Sequence, residues 1–385
     1  MRYPKALLPV LAVAVALLPF AFSRIAESQV TEAPTGFDDL TNGLVPQATH
    51  DADLAVFELA RTPADGLGPP FNRASCADCH ARPVSGGVSD VTNLLAGSDA
   101  SGSFVARLVH EDAICPAAQD PGPAPTEITT LRLTVNVLGD GYVESISDAT
   151  LAQIQASQPA SMRGTLITVP APGGGSGAGR FGWKNRHVSL LSFAADEFLS
   201  QIGITSTLLP NELTTVCDTV ADPEDVANDT DVLARFIRSS KAPPRSAKLV
   251  GTPDVVAGTN LFNAIGCNVC HVASIVTAPP GTVLYGSYVV PAALGNRIIH
   301  PYSDFLLHDV GTGDGFGSSA TSQLKMRTAP LWGLRTHPVF LHDGSALTLR
   351  DAIQRHAGEA APVIQSFNAL SFNQKRQLIT FLQSL

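Results

Sequence analysis

Two copies of one short pattern, Cys-X-X-Cys-His, constrain this chain more than any other feature of its sequence. They lie at residues 76–80 and 267–271. The spacing is that of a c-type haem attachment site, because each thiol adds to one porphyrin vinyl group and the adjacent imidazole binds the iron. The sequence therefore predicts two covalently bound haem c groups. We expect attachment through Cys76, Cys79, Cys267 and Cys270, with His80 and His271 as iron ligands.

Other uses of paired cysteines explain these motifs less well. A zinc half-site usually needs a second Cys or His pair nearby, and a thioredoxin-like pair has no role for the histidine. A chance match accounts for one copy more easily than for two complete ones. A zinc or disulfide scaffold would leave both histidines unexplained.

The first 23 residues have the pattern of a secretory signal peptide. Arg2 and Lys5 form a charged start, and residues 6–22 are an almost unbroken apolar run. Ala21 and Ser23 offer small side chains at the positions that signal cleavage prefers. An uncleaved membrane anchor is the alternative, because the apolar run is long and the cleavage site is imperfect. Both interpretations place the folded part outside the cytoplasm, so we expect a periplasmic protein.

Length and charge limit the remaining possibilities. The 385 residues give room for two domains that each bury a core and a prosthetic group. The formal net charge of −9, without a basic block, argues against nucleic acid as a partner. Pro243 and Pro244 cannot continue a helix, so we predict an N-terminal haem domain at 24–240 and a C-terminal haem domain at 241–385.

Cys115 and Cys217 are the two cysteines outside the motifs. In an oxidising compartment they could form a disulfide, and two buried reduced thiols are the alternative. The sequence does not give the distance that decides between them.

Hydrophobic periodicity predicts a mainly α fold with a small β-containing insertion in the N-terminal domain. Residues 173–179 lack the Lys-Ser/Thr end of a phosphate loop and are predicted to form a flexible linker. Asp148 is predicted to cap the second helix. Helices are predicted at 51–61, 149–156, 189–202, 231–240, 254–265, 348–356 and 372–385, and strands at 104–109, 130–135 and 283–290.

Longer stretches give the chain a specific resemblance to a known family. They are DGLGPPFNRASCADCH (65–80), GRFGWK (179–184), IHPYSDFLLHDVG (299–311), RTAPLWGL (327–334) and FLHDGSALTLRDAIQRHAGEA (340–360). On these stretches the sequence resembles the bacterial di-haem oxidoreductases. Those proteins are relatives of the di-haem cytochrome c peroxidases and of the MauG-type tryptophan-modifying enzymes. The resemblance implies two cytochrome-c-like α domains that share an interface, with one haem in each.

The resemblance also implies different roles for the two haems. In the peroxidase relatives, one iron has an open or labile sixth site for peroxide, and the other has two firm protein ligands and passes on electrons. Where those relatives have Met or Tyr, this chain has His356, so we expect His271 and His356 to bind the second iron. An ordinary histidine is the alternative for His356. Trp183 resembles the indole that relays electrons between the haems, and a core aromatic is its alternative.

Residues 196–203 resemble the segment that carries the distal acid–base groups of the peroxidases. Gln201 stands where a carboxylate is expected, and an amide cannot move a proton in the same way. Glu197 or Asp196 is therefore expected to take that role beside Gln201. The far side of the first haem has no clear ligand, and an open site there is consistent with the sequence. The candidates by sequence order alone are His110 and His187.

Together these observations predict a periplasmic, peroxidase-like di-haem c-type cytochrome oxidoreductase. The second haem would take electrons from a small redox protein or another donor and pass them to hydrogen peroxide, or to another small substrate, at the first haem. The alternative is a non-catalytic di-haem electron-transfer protein, which two firm ligands on the first haem would favour. The β insertion exceeds what a carrier needs and favours the enzyme.

Overall fold

The computed structural model describes residue 1 and residues 29–98, 105–317 and 320–385. The predicted signal peptide, from Arg2 onward, lies outside the described residues. Of the described residues, 33% are helical and 15% are in strands, so the fold is mixed rather than mainly α. Across the described ranges, every helix is too short or too polar to cross a membrane.

The seven predicted helices lie close to their predicted positions, and the described residues form three further short ones, α2, α7 and α9. A π-helical segment, Phe198–Ile202, continues α4, and a short 3₁₀ turn carries each Cys-X-X-Cys motif. The α-helices are α1 (Gln47–Glu58), α2 (Asp140–Glu144), α3 (Asp148–Ser157), α4 (Leu190–Glu197), α5 (Asp229–Ser239), α6 (Pro253–Ala264), α7 (Ala320–Leu324), α8 (Leu349–Gln354), α9 (Ala361–Ala369) and α10 (Phe372–Leu382).

The strands are short and form several small sheets. They are β1 (Thr31–Glu32), β2 (Pro70–Phe71), β3 (Thr92–Ser98), β4 (Val105–Leu108), β5 (Asp112–Ala113), β6 (Ile128–Leu133), β7 (Thr168–Pro170), β8 (Ser176–Ala178), β9 (Ile275–Val276), β10 (Val283–Leu284), β11 (Tyr288–Val289), β12 (Arg297–Ile299), β13 (Leu307–His308) and β14 (Met326–Arg327). The antiparallel sheet β4-β3-β6 is the predicted β insertion. β1 pairs in parallel with β12, so residues 31–32 near the N-terminus are bound to the C-terminal half of the chain.

Each Cys-X-X-Cys-His motif follows a helix that packs against a later helix. α1 leads to the first motif and packs on α5, and α6 leads to the second and packs on α10. α5 is amphipathic, with Asp229 and Asp231 in its first turn and Arg238 in its last, which suits the helix dipole. α6 and α10 approach closely at Gly258, because a Cβ atom there would overlap the carbonyl oxygen of Gln377.

Two main hydrophobic cores hold the fold together. The first joins residues on both sides of the predicted boundary at 240/241, including Phe57 and Phe236 on one side and Phe305 and Trp332 on the other. The second lies within 241–385, around Phe381 and its neighbours on α6 and α10. The predicted boundary therefore does not divide the first core.

Three local predictions were wrong. Residues 173–179 are not a linker, because β7 and β8 form an antiparallel hairpin around them. The cap of α3 is Ser147, whose hydroxyl accepts the N–H of Thr150, while Asp148 forms an ion pair with Arg180. Residues 283–290 are a hairpin of β10 and β11 rather than one strand.

Cys115 and Cys217 form a disulfide, with their Cα atoms 6.6 Å apart. It joins the loop between β5 and β6 to the acidic segment at residues 203–234, which follows α4 and its π-helical extension. The other four cysteines are free thiols, and all belong to the two motifs.

Candidate functional site

The first Cys-X-X-Cys-His motif opens onto a cavity of about 390 Å³, called the first cavity below. Ser75 fixes the start of the motif, because its hydroxyl accepts the N–H of Asp78 at 3.2 Å. Cys76, Cys79 and His80 all line the cavity. The ring of Phe57, on α1, meets the edge of the His80 ring at 6.0 Å between centroids. α1 therefore positions the imidazole.

The second motif opens onto a separate cavity of about 230 Å³, the second cavity. Cys267, Cys270 and His271 line it. His356, at the end of α8, lines it as well. The structure thus brings together the two histidines that the sequence predicts as ligands of one iron.

Hydrogen bonds orient both imidazoles of the second cavity. His271 Nδ1–H donates to the carbonyl oxygen of Tyr302 at 2.9 Å, and His356 Nδ1–H donates to that of Ala352 at 2.8 Å. A carbonyl can only accept, so each ring keeps its Nε2 lone pair free for a metal ion. Burial lowers the pKa of His271 to about 4 and also lowers that of His356. Both rings are therefore neutral, as iron ligands must be.

The residues of both cavities fit a covalently attached haem. Each cavity combines two free thiols with a buried imidazole. Nδ1 of His80 is buried and has no hydrogen-bond partner among the described residues. Burial lowers the pKa of His80 to about 4, so its ring is neutral too. A buried, neutral imidazole next to two free thiols is the arrangement that haem c needs.

The first cavity also contains the predicted acid–base pair. Glu197 ends α4, and Gln201 lies one turn later on the π-helical segment, where its Nε2 donates to Glu197 Oε2 at 3.3 Å. Asn72 Nδ2 in turn donates to Gln201 Oε1 at 3.1 Å, which fixes the orientation of the amide. Burial, aided by the charge of Asp196, raises the pKa of Glu197 to about 7. A carboxyl group with that pKa can take up and release a proton near neutral pH.

Asp196 has a different role from its neighbour. Burial alone would raise its pKa, but a 3.1 Å hydrogen bond from His187 lowers the pKa below its usual value. Asp196 therefore stays charged and holds His187. His110 is also engaged, since its Nε2–H donates to the carbonyl oxygen of Ser200 at 2.9 Å. Both histidines line the first cavity as hydrogen-bonded side chains.

Trp183 lies between the two cavities. It lines both, together with Leu133, Thr134 and Val135. Its Nε1–H donates to the carbonyl oxygen of Leu133 at 2.9 Å, and its ring meets that of His342 edge-on at 6.1 Å. The indole is therefore held in the wall that the cavities share.

Comparison with known proteins identifies the family. A family model described as "Di-haem oxidoreductase, putative peroxidase" matches residues 130–385, well over half of the chain. The chain belongs to the di-haem oxidoreductase family. Membership implies two haem groups, which agrees with the two cavities. No curated protein matches the chain.

Several solved structures are distantly similar over most of their length. A MauG-like protein associated with microbial copper homeostasis is 13% identical, with 95% of each chain covered and a TM-score of 0.46. The di-haem peroxidase BthA from Burkholderia thailandensis is 15% identical, with 88% of this chain and 86% of that chain covered and a TM-score of 0.43. The hydrazine synthase of Kuenenia stuttgartiensis is 15% identical, with 99% and 100% covered and a TM-score of 0.43.

A charged cluster in the second cavity of this di-haem oxidoreductase escaped the sequence analysis. His308 lies between two carboxylates, with Nε2 at 2.9 Å from Asp304 Oδ2 and Nδ1 at 2.6 Å from Glu359 Oε2. Burial alone would lower the pKa of His308, but the hydrogen bond with Asp304 raises it to about 11. The imidazole is therefore a cation 3.7 Å from the Cys270 sulfur. Glu359 is 51 residues away in sequence, so no local pattern could have joined it to His308.

Proposed function

We propose that this di-haem oxidoreductase is a periplasmic c-type cytochrome that reduces hydrogen peroxide, or another small oxidant, in the first cavity. Cys76, Cys79 and His80 would hold one haem c there. Cys267, Cys270 and His271 would hold the other in the second cavity, with His356 as a further protein ligand of its iron. The bound haems supply the stored electrons and the iron at which the oxidant binds.

The observation that carries this proposal is the position of Glu197. Its carboxyl group lines the same cavity as His80 and has a pKa of about 7. Peroxide reduction needs a group that removes a proton from one oxygen and delivers it to the other. Glu197 can do both, and Gln201 keeps its carboxyl group aimed by donating to Oε2. A plain electron carrier has no use for such a group.

The second cavity suits electron storage instead. Two neutral imidazoles, each fixed by a backbone carbonyl, would give the iron two firm nitrogen ligands. A site of this kind leaves no position for peroxide. Electrons from a small redox protein, or another donor, would enter here and leave towards the first cavity past Trp183. We propose that these two roles belong to two cytochrome-c-like domains, at 24–240 and 241–385. Residues 1–23 would be the export signal.

The test is a rapid-mixing visible spectrum of the fully reduced, purified protein with a small excess of hydrogen peroxide. We expect fast and nearly stoichiometric oxidation of both haems. The Glu197→Gln variant should react much more slowly, while Glu58→Gln, which makes the same change on the exposed side of α1, should react like the wild type.

The opposite result would favour the carrier. Two six-coordinate haem spectra that barely respond to peroxide would contradict the proposal and support a non-catalytic electron-transfer protein. Equal rates for the wild type and Glu197→Gln would contradict the role of Glu197 alone.

A further inference from the structure

A long acidic segment lies next to the first cavity. Residues 203–234 contain no Lys, Arg or His. Cys217, within this segment, is tied to Cys115 by the disulfide. Like charges held this close repel one another unless something compensates them. The carboxylates of the segment are Glu212, Asp218, Asp222, Glu224, Asp225, Asp229 and Asp231.

Three of these carboxylates converge on one point. Three carboxylate oxygens, one from each of Glu212, Asp222 and Glu224, lie within 4.8 Å of one another. Ca²⁺ binds carboxylate oxygens at about 2.3–2.6 Å, so two ligands of one ion are at most about 5 Å apart. The spacing of the three oxygens is therefore that of ligands around a single cation.

Three buried oxygens of the cluster have no hydrogen-bond partner among the described residues. The Glu224 residue is only 9% exposed. Its Oε2 accepts the N–H of Thr205 at 2.8 Å, but its Oε1 is buried without a partner among the described residues. Both oxygens of Glu212 are also buried without a hydrogen-bond partner among the described residues. Leaving buried carboxylate oxygens unpaired is costly, and protein structures rarely do it without a bound group.

No arginine or lysine in the described ranges forms an ion pair with Glu212, Asp222 or Glu224. Elsewhere the structure pairs its buried carboxylates readily, as with Asp53 and Arg235 or Glu144 and Arg238. Burial and the neighbouring Glu224 raise the pKa of Glu212 to about 9, so a proton compensates this cluster until a cation from outside the chain displaces it.

We propose that Glu212, Asp222 and Glu224 bind one Ca²⁺ ion. All three ligands are carboxylate oxygens, without His or Cys, which suits a hard cation rather than a transition metal. Ca²⁺ accepts irregular oxygen sets with added water, whereas Mg²⁺ demands a near-ideal octahedron. The ion would hold Glu212 and Asp222 next to Glu224, which is already bonded to Thr205 near the start of the segment, three residues after the helical segment that carries Gln201. The site is independent of the proposed function.

The experiment uses the full-length protein with its haems, treated with a chelator and then dialysed. Calorimetric titration with CaCl₂ should show one ion per chain, with a Kd at or below about 1 mM, as in other extracellular calcium modules. At a Ca²⁺ concentration about ten times the Kd, the thermal unfolding midpoint should rise by a few degrees.

Two variants connect the response to the cluster. Glu212→Gln should abolish the binding heat and the rise in midpoint. Without calcium this variant should unfold at about the wild-type temperature, because the amide replaces a carboxyl group whose raised pKa, about 9, keeps it protonated at neutral pH. A lost response is then not due to misfolding. Glu58→Gln, the same change on an exposed helix, should bind Ca²⁺ like the wild type. No binding to the wild type, or unchanged binding to Glu212→Gln, would overturn the proposal.

Discussion

At the scale of single residues, the pKa of Glu197 makes the proposed chemistry testable by pH. Burial raises the pKa to about 7, so the group is a carboxylic acid below that pH and a carboxylate above it. Only the carboxylate can accept a proton from peroxide. The initial rate of peroxide reduction should therefore rise with pH and level off above an inflection near 7.

Removing this carboxylate should remove both the rate and its pH dependence. Loss of a general acid–base group typically costs about 10²–10⁴-fold in rate. Glu197→Gln should show a fall in kcat of that size and a flat profile between pH 6 and about 8. Glu197→Asp should recover part of the rate with a shifted inflection. An unchanged inflection in Glu197→Gln would assign it to another group.

His356 is the residue on which the ligation of the second haem depends. His356→Ala should change one haem of the pair from six- to five-coordinate, because the imidazole that lines the second cavity together with His271, and that the Ala352 carbonyl fixes, is gone. Haem content should stay at two per chain. Visible and electron paramagnetic resonance spectra would report the change.

His337 offers a matched control for this experiment. It lines the same cavity, and burial lowers its pKa to about 4. We expect His337→Ala to leave both spectra as in the wild type. A coordination change in His337→Ala, with none in His356→Ala, would assign the ligand to His337 instead.

The residues that local patterns reveal differ from those that only folding brings together. Cys76, Cys267 and their neighbours were predictable because haem attachment needs a fixed spacing along the chain. His308 lies within one of the family-like stretches, 299–311, but its charged environment depends on Glu359, which approaches it only through tertiary packing. The orientation of His356 likewise depends on a backbone carbonyl that becomes available where α8 ends.

At the scale of elements, helices were predicted better than strands. The apolar faces of α5, α6 and α10 repeat every three to four residues, and that signal is local. The hairpin β7–β8 was missed because its glycines suggested a linker. Gly177 instead allows close packing, since a Cβ atom there would lie 2.9 Å from that of Tyr285. Tyr285 is more than 100 residues from Gly177 in sequence, so no local pattern could indicate this contact.

The contact between α6 and α10 gives a prediction with a definite sign. In an exposed helix, Gly→Ala stabilises by up to about 1 kcal/mol. At Gly258 the new methyl group would overlap the Gln377 carbonyl oxygen, and overpacking of this kind costs about 1–3 kcal/mol. We expect the cost of the overlap to exceed the gain in helix propensity, so Gly258→Ala should lower the thermal unfolding midpoint.

Val256 on the same helix serves as the control. It is 51% exposed, and Val256→Ala should change the free energy of unfolding by less than about 0.5 kcal/mol. A higher midpoint for Gly258→Ala than for the wild type would show that α6 and α10 can move apart to accept the methyl group without a loss of stability.

At the scale of the whole molecule, the chain is more interconnected than a two-domain prediction suggests. The parallel pair β1–β12 joins residues 31 and 297, and the first core crosses the predicted boundary. Sequence patterns could not show this, because long-range pairing leaves no periodic signal. The consequence for function is that residues 133–135 line both cavities, so one strand end supports both sites.

Trp183 is the aromatic side chain among the four residues that line both cavities, so the last prediction concerns communication between them. Trp183→Phe keeps an aromatic ring but loses the hydrogen bond to Leu133 and the extended indole that meets His342. If electrons pass through this wall, the spectrum of the second haem should follow that of the first more slowly after peroxide is added. The static spectra should not change, because Trp183 is not a predicted iron ligand. Equal delays in the variant and the wild type would mean that Trp183 only packs the wall, and that electrons cross it by another route.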